Sequence, residues 1–136
     1  SRVKEYNMQK WNQGAAYPQD YKFKYPKAGE ANSIIEIYVY DLSSQQKIKA
    51  DLGSNTHIYI PRVKWTKDAN TLSIRRMNRL QNQLEIMHLN TLSGAISTVL
   101  TEKNPSYVAI NDDLTYLDDK KHFIHVSEMS GYNHIY

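Results

Sequence analysis

A short signature recurs in this chain at a fixed interval. Ile34-Ile35-Glu36-Ile37-Tyr38-Val39-Tyr40-Asp41 resembles Gln83-Leu84-Glu85-Ile86-Met87-His88-Leu89-Asn90, and Asn133-His134-Ile135-Tyr136 places a third isoleucine in step, so that Ile37, Ile86 and Ile135 stand 49 residues apart. A constant period marks a repeated supersecondary unit. A looser correspondence sets Val63 to Asp68 against Leu114 to Asp119, each an apolar-aromatic run closed by an aspartate.

Between Arg62 and Glu102 the chain divides into four short runs: Val63 to Thr66, Thr71 to Asn78, Gln83 to Leu89 and Ala95 to Thr101. The separators are rich in Asn, Asp, Ser and Gly, which tolerate left-handed backbone or bond their own main chain. Leu84, Ile86 and His88 alternate with Glu85, Met87 and Leu89, the period of a pleated strand. Ile74, Met77, Leu80, Leu84 and Met87 are also spaced by three and four, so Thr71 to Leu89 taken alone reads equally as an amphipathic helix capped by Asn70. Repetition decides between the two. Ile34 to Tyr40 is too short for a typical helix and dense in β-branched and aromatic residues, and it carries its later copy with it as a strand.

The fold class expected is all-β: antiparallel four-stranded meander sheets repeating every 49 residues, a partial β-propeller. At 136 residues the chain holds two to three blades, incomplete at both ends, where a closed propeller needs about four to eight. The expectation is therefore a fragment of one propeller domain: residues 1–24 an extended insertion, 25–56 part of a blade, 57–103 a full blade and 104–136 part of a third. Pro61 is expected at a strand start or bulge.

A content of 40% apolar residues with eleven tyrosines suits a folded β-rich domain. The net charge of +3 is spread among acidic residues, against a nucleic-acid partner. No apolar run approaches the ~18 residues of a membrane span. Without cysteine there is neither a disulfide nor a thiolate metal site. His122 and His125 are spaced for a metal on a helix, but on a strand they point to opposite faces, so no metal site is expected. Asp112-Asp113 and Asp118-Asp119 could serve acid-base chemistry or calcium; flanking strands, they read as turn residues. Arg75, Arg76 and Arg79 form a basic cluster able to grip phosphate or carboxylate, read as a solvated hairpin tip or a docking surface for a missing remainder.

Tyr25-Pro26-Lys27-Ala28-Gly29-Glu30-Ala31-Asn32 resembles a Tyr-Pro-Lys-Ala-Gly-x-x-Asn segment in the propeller of the dipeptidyl peptidase IV family, within the prolyl oligopeptidase class of serine peptidases. Val63-Lys64-Trp65-Thr66, the Arg75 to Asn82 hairpin and Gly131-Tyr132-Asn133-His134-Ile135-Tyr136 follow in the family's order. The resemblance implies a parent enzyme that removes N-terminal dipeptides after Pro or Ala, is periplasmic or extracellular, and pairs the propeller with a C-terminal α/β-hydrolase domain carrying the triad. No G-x-S-x-G elbow occurs here, so no catalytic residue and no cofactor is expected in this chain. The family's amine-binding glutamates lie upstream of the matching segment. Where the family offers an aromatic and an arginine to the substrate, this chain reads Tyr107 to Leu114, leaving Asn111 and Asp112 as the substrate-binding candidates. Open sheet edges and uncovered faces point to self-association. The competing reading is an interaction module, propeller or β-sandwich, without peptidase activity.

Overall fold

The computed structural model describes residues 2–136, and among these every regular element is a strand. The chain divides into two compact units, the first ending at Ile34 and the second spanning Ile35–Tyr136. In the first, β1 (Glu5–Lys10) and β2 (Gln19–Lys24) pair antiparallel from Glu5↔Lys24 to Lys10↔Gln19. Its connection turns at Gly14, whose φ of 84° is one that a side chain would resist. The polar stretch that shows no period in sequence is thus a regular hairpin. Its strands are largely exposed, so no buried face imposes an alternation.

The second unit carries nine strands in three sheets. β3 (Tyr38–Tyr40) and β4 (Lys47–Lys49) form a hairpin. β5 (Ile58–Trp65), β6 (Thr71–Asn78), β7 (Gln83–Asn90) and β8 (Ile96–Lys103) form a four-stranded antiparallel meander. β9 (Leu114–Tyr116), β10 (Phe123–Ser127) and β11 (His134–Ile135) make a three-stranded sheet with β10 in the middle. The sheets are open, a propeller segment in which Ile86 and Ile135 lie on third strands and Ile37 just precedes the equivalent strand.

Turn chemistry repeats with the same period. Asp41 Oδ1 accepts the Ser43 and Ser44 N–H groups, and 49 residues on Asn90 Oδ1 accepts those of Leu92 and Ser93. Gln45 (φ 56°) and Gly94 (φ 75°) hold the matching left-handed position. Asp68 and Asp119, 51 residues apart and so outside the 49-residue step, make the same kind of turn with the amides of Asn70 and Lys121. The expected strand over Ile34 to Tyr40 is shorter than its sequence suggests. Ala50 N–H reaches Ile37 C=O at 2.9 Å and pairing then stops, because β4 offers no partner to Ile34 through Glu36.

Thr71 to Leu89 is a strand pair, Thr71↔Asn90 to Met77↔Leu84. Leu72, Ile74, Met87 and Leu89 share one face and pack with Ala50 and Leu52, joined by Ile37 and Val39. Ser73, Arg75, Met77, Leu84, Ile86 and His88 share the other, where Ile86 packs on Leu114 and Tyr116. With both faces covered, Leu72 through Arg75 are all buried, and burial loses the alternation of a one-sided strand. That is why helix and strand could not be separated by periodicity. Each fully buried Leu, Ile or Met contributes ~1.5–3 kcal/mol, enough for this sheet to anchor the unit.

Candidate anion-binding cleft

Pro61 cannot donate to a ladder, and the β5–β6 register shifts between Tyr59 and Arg62, the expected bulge. From there Arg62 pairs with Arg75 and Lys64 with Ser73, so these four side chains share the face that turns toward β9. The incoming loop is held by Asn111. Its Nδ2 donates to Val126 C=O at 2.6 Å, its Oδ1 accepts the Asp113 N–H at 3.2 Å, and its own carbonyl accepts Arg75 Nη1. Asp112 is thereby presented to Arg62, with Nε–Oδ1 at 2.5 Å and Nη2–Oδ2 at 3.1 Å, a bidentate fork. Lys64 Nζ donates to Leu114 C=O at 2.8 Å.

Arg62, Val63, Lys64, Ser73, Arg75, Asp112 and Leu114 line a cleft of about 210 Å³. The Arg62 hydrogen bond holds the Asp112 carboxyl below the usual carboxylate range and raises Arg62 in turn. Burial pulls the Arg75 guanidinium below its ordinary value, with Asp112 opposing; only 4% of the residue is exposed. The cleft thus gathers three cations against one carboxylate. It can bind and orient an anion. Ser73 Oγ is engaged by Tyr116 OH at 2.8 Å, which His88 Nε2 meets in turn at 2.8 Å.

Both substrate-binding candidates therefore meet here, Asn111 as the brace of the loop and Asp112 at the cleft's mouth. The arginines expected to cluster at a hairpin tip do not stay together. Arg75 is mid-strand and buried; Arg76 points to the opposite face, to Glu85 at 2.7 Å and the Leu52 carbonyl; Arg79 lies in the turn beyond β6. Neighbouring residues on a strand face opposite ways, so adjacency in sequence separated what the tip reading joined. The partners of Arg75 went unnoticed in sequence, although Arg62 and Lys64 carry the i, i+2 spacing of a shared strand face.

Of the acidic pairs, Asp118 meets Lys67 at 2.9 Å and Asp119 caps its turn, where the His122 ring and backbone amides lower it to about 2. His125 is buried by contrast, its Nε2 3.3 Å from Glu102 Oε2, while Ser127 Oγ donates to Glu102 Oε1 at 2.6 Å. Sequence reading missed this network because its members come from β8 and β10, joined only by the folding of one sheet on the next.

The family model described as the dipeptidyl peptidase IV N-terminal region matches residues 1–136. The crystal structure of Porphyromonas gingivalis dipeptidyl peptidase 4 superposes with a TM-score of 0.84 at 33% identity, covering 100% of this chain and 19% of that one. A protein described as "Probable dipeptidyl peptidase 4" from Aspergillus flavus is 25% identical over 143 residues, 97% of this chain and 18% of its own length. "Inactive dipeptidyl peptidase 10" of Rattus norvegicus is 33% identical over 88 residues, 62% of this chain and 11% of its own length. The chain thus spans about a fifth or less of these relatives. With a four-stranded meander between two partial sheets, and a family match from end to end, the chain belongs to the dipeptidyl peptidase IV N-terminal region family.

Proposed function

We propose that this chain is a non-catalytic propeller segment of a serine peptidase that removes N-terminal dipeptides after Pro or Ala, and that it shapes access to the active site. The observation that carries this reading is the likeness over the whole chain to the Porphyromonas gingivalis peptidase. Chemistry is assigned to an α/β-hydrolase domain elsewhere in a longer protein of the periplasm or cell exterior. Within this chain Asp112 faces incoming peptide, and Asn111 positions it. Copies associate through the open edge at β11 or through uncovered sheet faces, where Ile124 and Ile135 are 40% and 75% exposed. Assayed on a Gly-Pro chromogenic substrate, this chain alone is expected to be inert and the longer protein to turn over; serine-inhibitable turnover by this chain overturns the reading. The relative named as inactive supports a second one, an interaction module without peptidase activity. An inert longer protein selects it.

A further inference from the structure

We infer that the cleft of Arg62, Lys64 and Arg75 is a binding site for the carboxylate of a peptide, with Asp112 as a resident occupant that the incoming carboxylate displaces. The identity of the ligand rests on the peptidase reading; the site rests on this chain's own charges. Among the described residues neither Arg75 nor Lys64 forms an ion pair, and each donates instead to a backbone carbonyl, Asn111 and Leu114 respectively. A carbonyl dipole does not neutralise a cation. Arg75 is 4% exposed, so a charge taken almost wholly out of water has Asp112 acting on it through space but no carboxylate bonded to it, which is costly unless an anion completes the site.

The one carboxylate present shows how an anion sits. Asp112 lies in the Arg62 fork with both oxygens engaged, the geometry any carboxylate would adopt there. Its side chain is 71% exposed and that of Arg62 49%, and ion pairs so hydrated are weak enough to exchange. A volume of about 210 Å³ admits a carboxylate with a few attached atoms, and lies below the range of pockets that enclose larger ligands. The walls come from β5, from β6 and from the loop that enters β9, so the cleft lies between two successive sheets. A free C-terminus and an acidic side chain offer the same chemistry.

The test is a titration of this chain, followed by the Nε–Hε NMR signals of Arg62 and Arg75, with three probes: N-acetyl-Gly-Pro, its C-terminal amide, and N-acetyl-Glu-Pro amide. The expected result is that the first, the third or both shift the two signals and the uncharged amide shifts neither; which of them binds assigns the source to a C-terminus or a side chain. Arg62→Gln is expected to weaken binding about tenfold. Lys64→Gln, at an exposed position that leaves the core intact, weakens it about threefold, and Asp112→Asn tightens it about threefold by removing the competitor. Equal binding of the uncharged amide, weaker binding by the Asp112→Asn variant, or inorganic sulfate binding more tightly than both carboxylates overturns the proposal. Hydrolysis of Gly-Pro substrate by the longer protein separates the two readings. Turnover without carboxylate binding by this chain sinks the site alone, and binding without turnover sinks the peptidase reading alone.

Discussion

The β1–β2 hairpin and the β6–β7 pair are built from the same antiparallel ladder, with six rungs in one and seven in the other. Their side chains have opposite fates. Along β6–β7, Ile74, Ile86 and Leu89 are 0% exposed, whereas Met8 and Tyr21 on β1–β2 are 45% and 55% exposed. Backbone pairing alone leaves a two-stranded ribbon marginal in water; burial of both faces makes β6–β7 the centre of its unit. The hairpin compensates with ring contacts, Tyr6 edge-on to Phe23 at 6.0 Å and Lys27 Nζ 4.1 Å above Tyr6, and with the Lys4–Glu30 ion pair at 2.9 Å. Such contacts are worth about 0.5–1.5 kcal/mol each at best. Two ladders of similar length are therefore expected to open at very different free energies.

The largest test of that contrast is Ile74→Ala. Removing a fully buried side chain between Leu72 and Met87 is expected to lower global stability by ~2–5 kcal/mol in urea unfolding. A loss under ~1 kcal/mol would show that the doubly covered sheet is not the anchor. A middle-sized effect comes from the polar face of the same pair. Burial lowers the His88 pKa, so the unfolded chain binds the extra proton first, and the fold's advantage, complete above about pH 6.5, declines as pH falls through the folded-state value. His88→Gln is expected to flatten that part of the pH–stability curve; an unchanged curve means that other groups set it. Phe23→Ala should have the smallest effect, under ~1 kcal/mol on global unfolding. Amide exchange should nevertheless accelerate across Glu5–Lys10 and Gln19–Lys24 while Thr71–Asn78 stays protected. Equal acceleration in both would make the two ladders one cooperative unit.

Much of the second unit was legible because its information is local. Asp41, Asp68, Asn90 and Asp119 each make their turn with amides two or three residues away, so strand ends could be read along the line of the chain, and Asp41 and Asn90 carry the 49-residue period. Pro61 announced its bulge for the same reason, since a missing N–H is a property of one residue. The candidate Asp112 came from its place in the family resemblance over Tyr107 to Leu114. Its partner Arg62 was not legible, being 50 residues away.

By itself, then, the sequence determined the strand character, the repeat, the turns and the family, since each depends on residue types within a few positions of one another. Tertiary structure alone decided which faces are buried, that Arg75 and Arg76 part to opposite sides of a sheet, and that Glu102 meets Ser127 and His125. It also set three cations against one carboxylate in a single cleft. Burial and charge balance are sums over whatever folding brings near, and for a sheet covered on both sides those neighbours come from other sheets, at separations that no local pattern encodes.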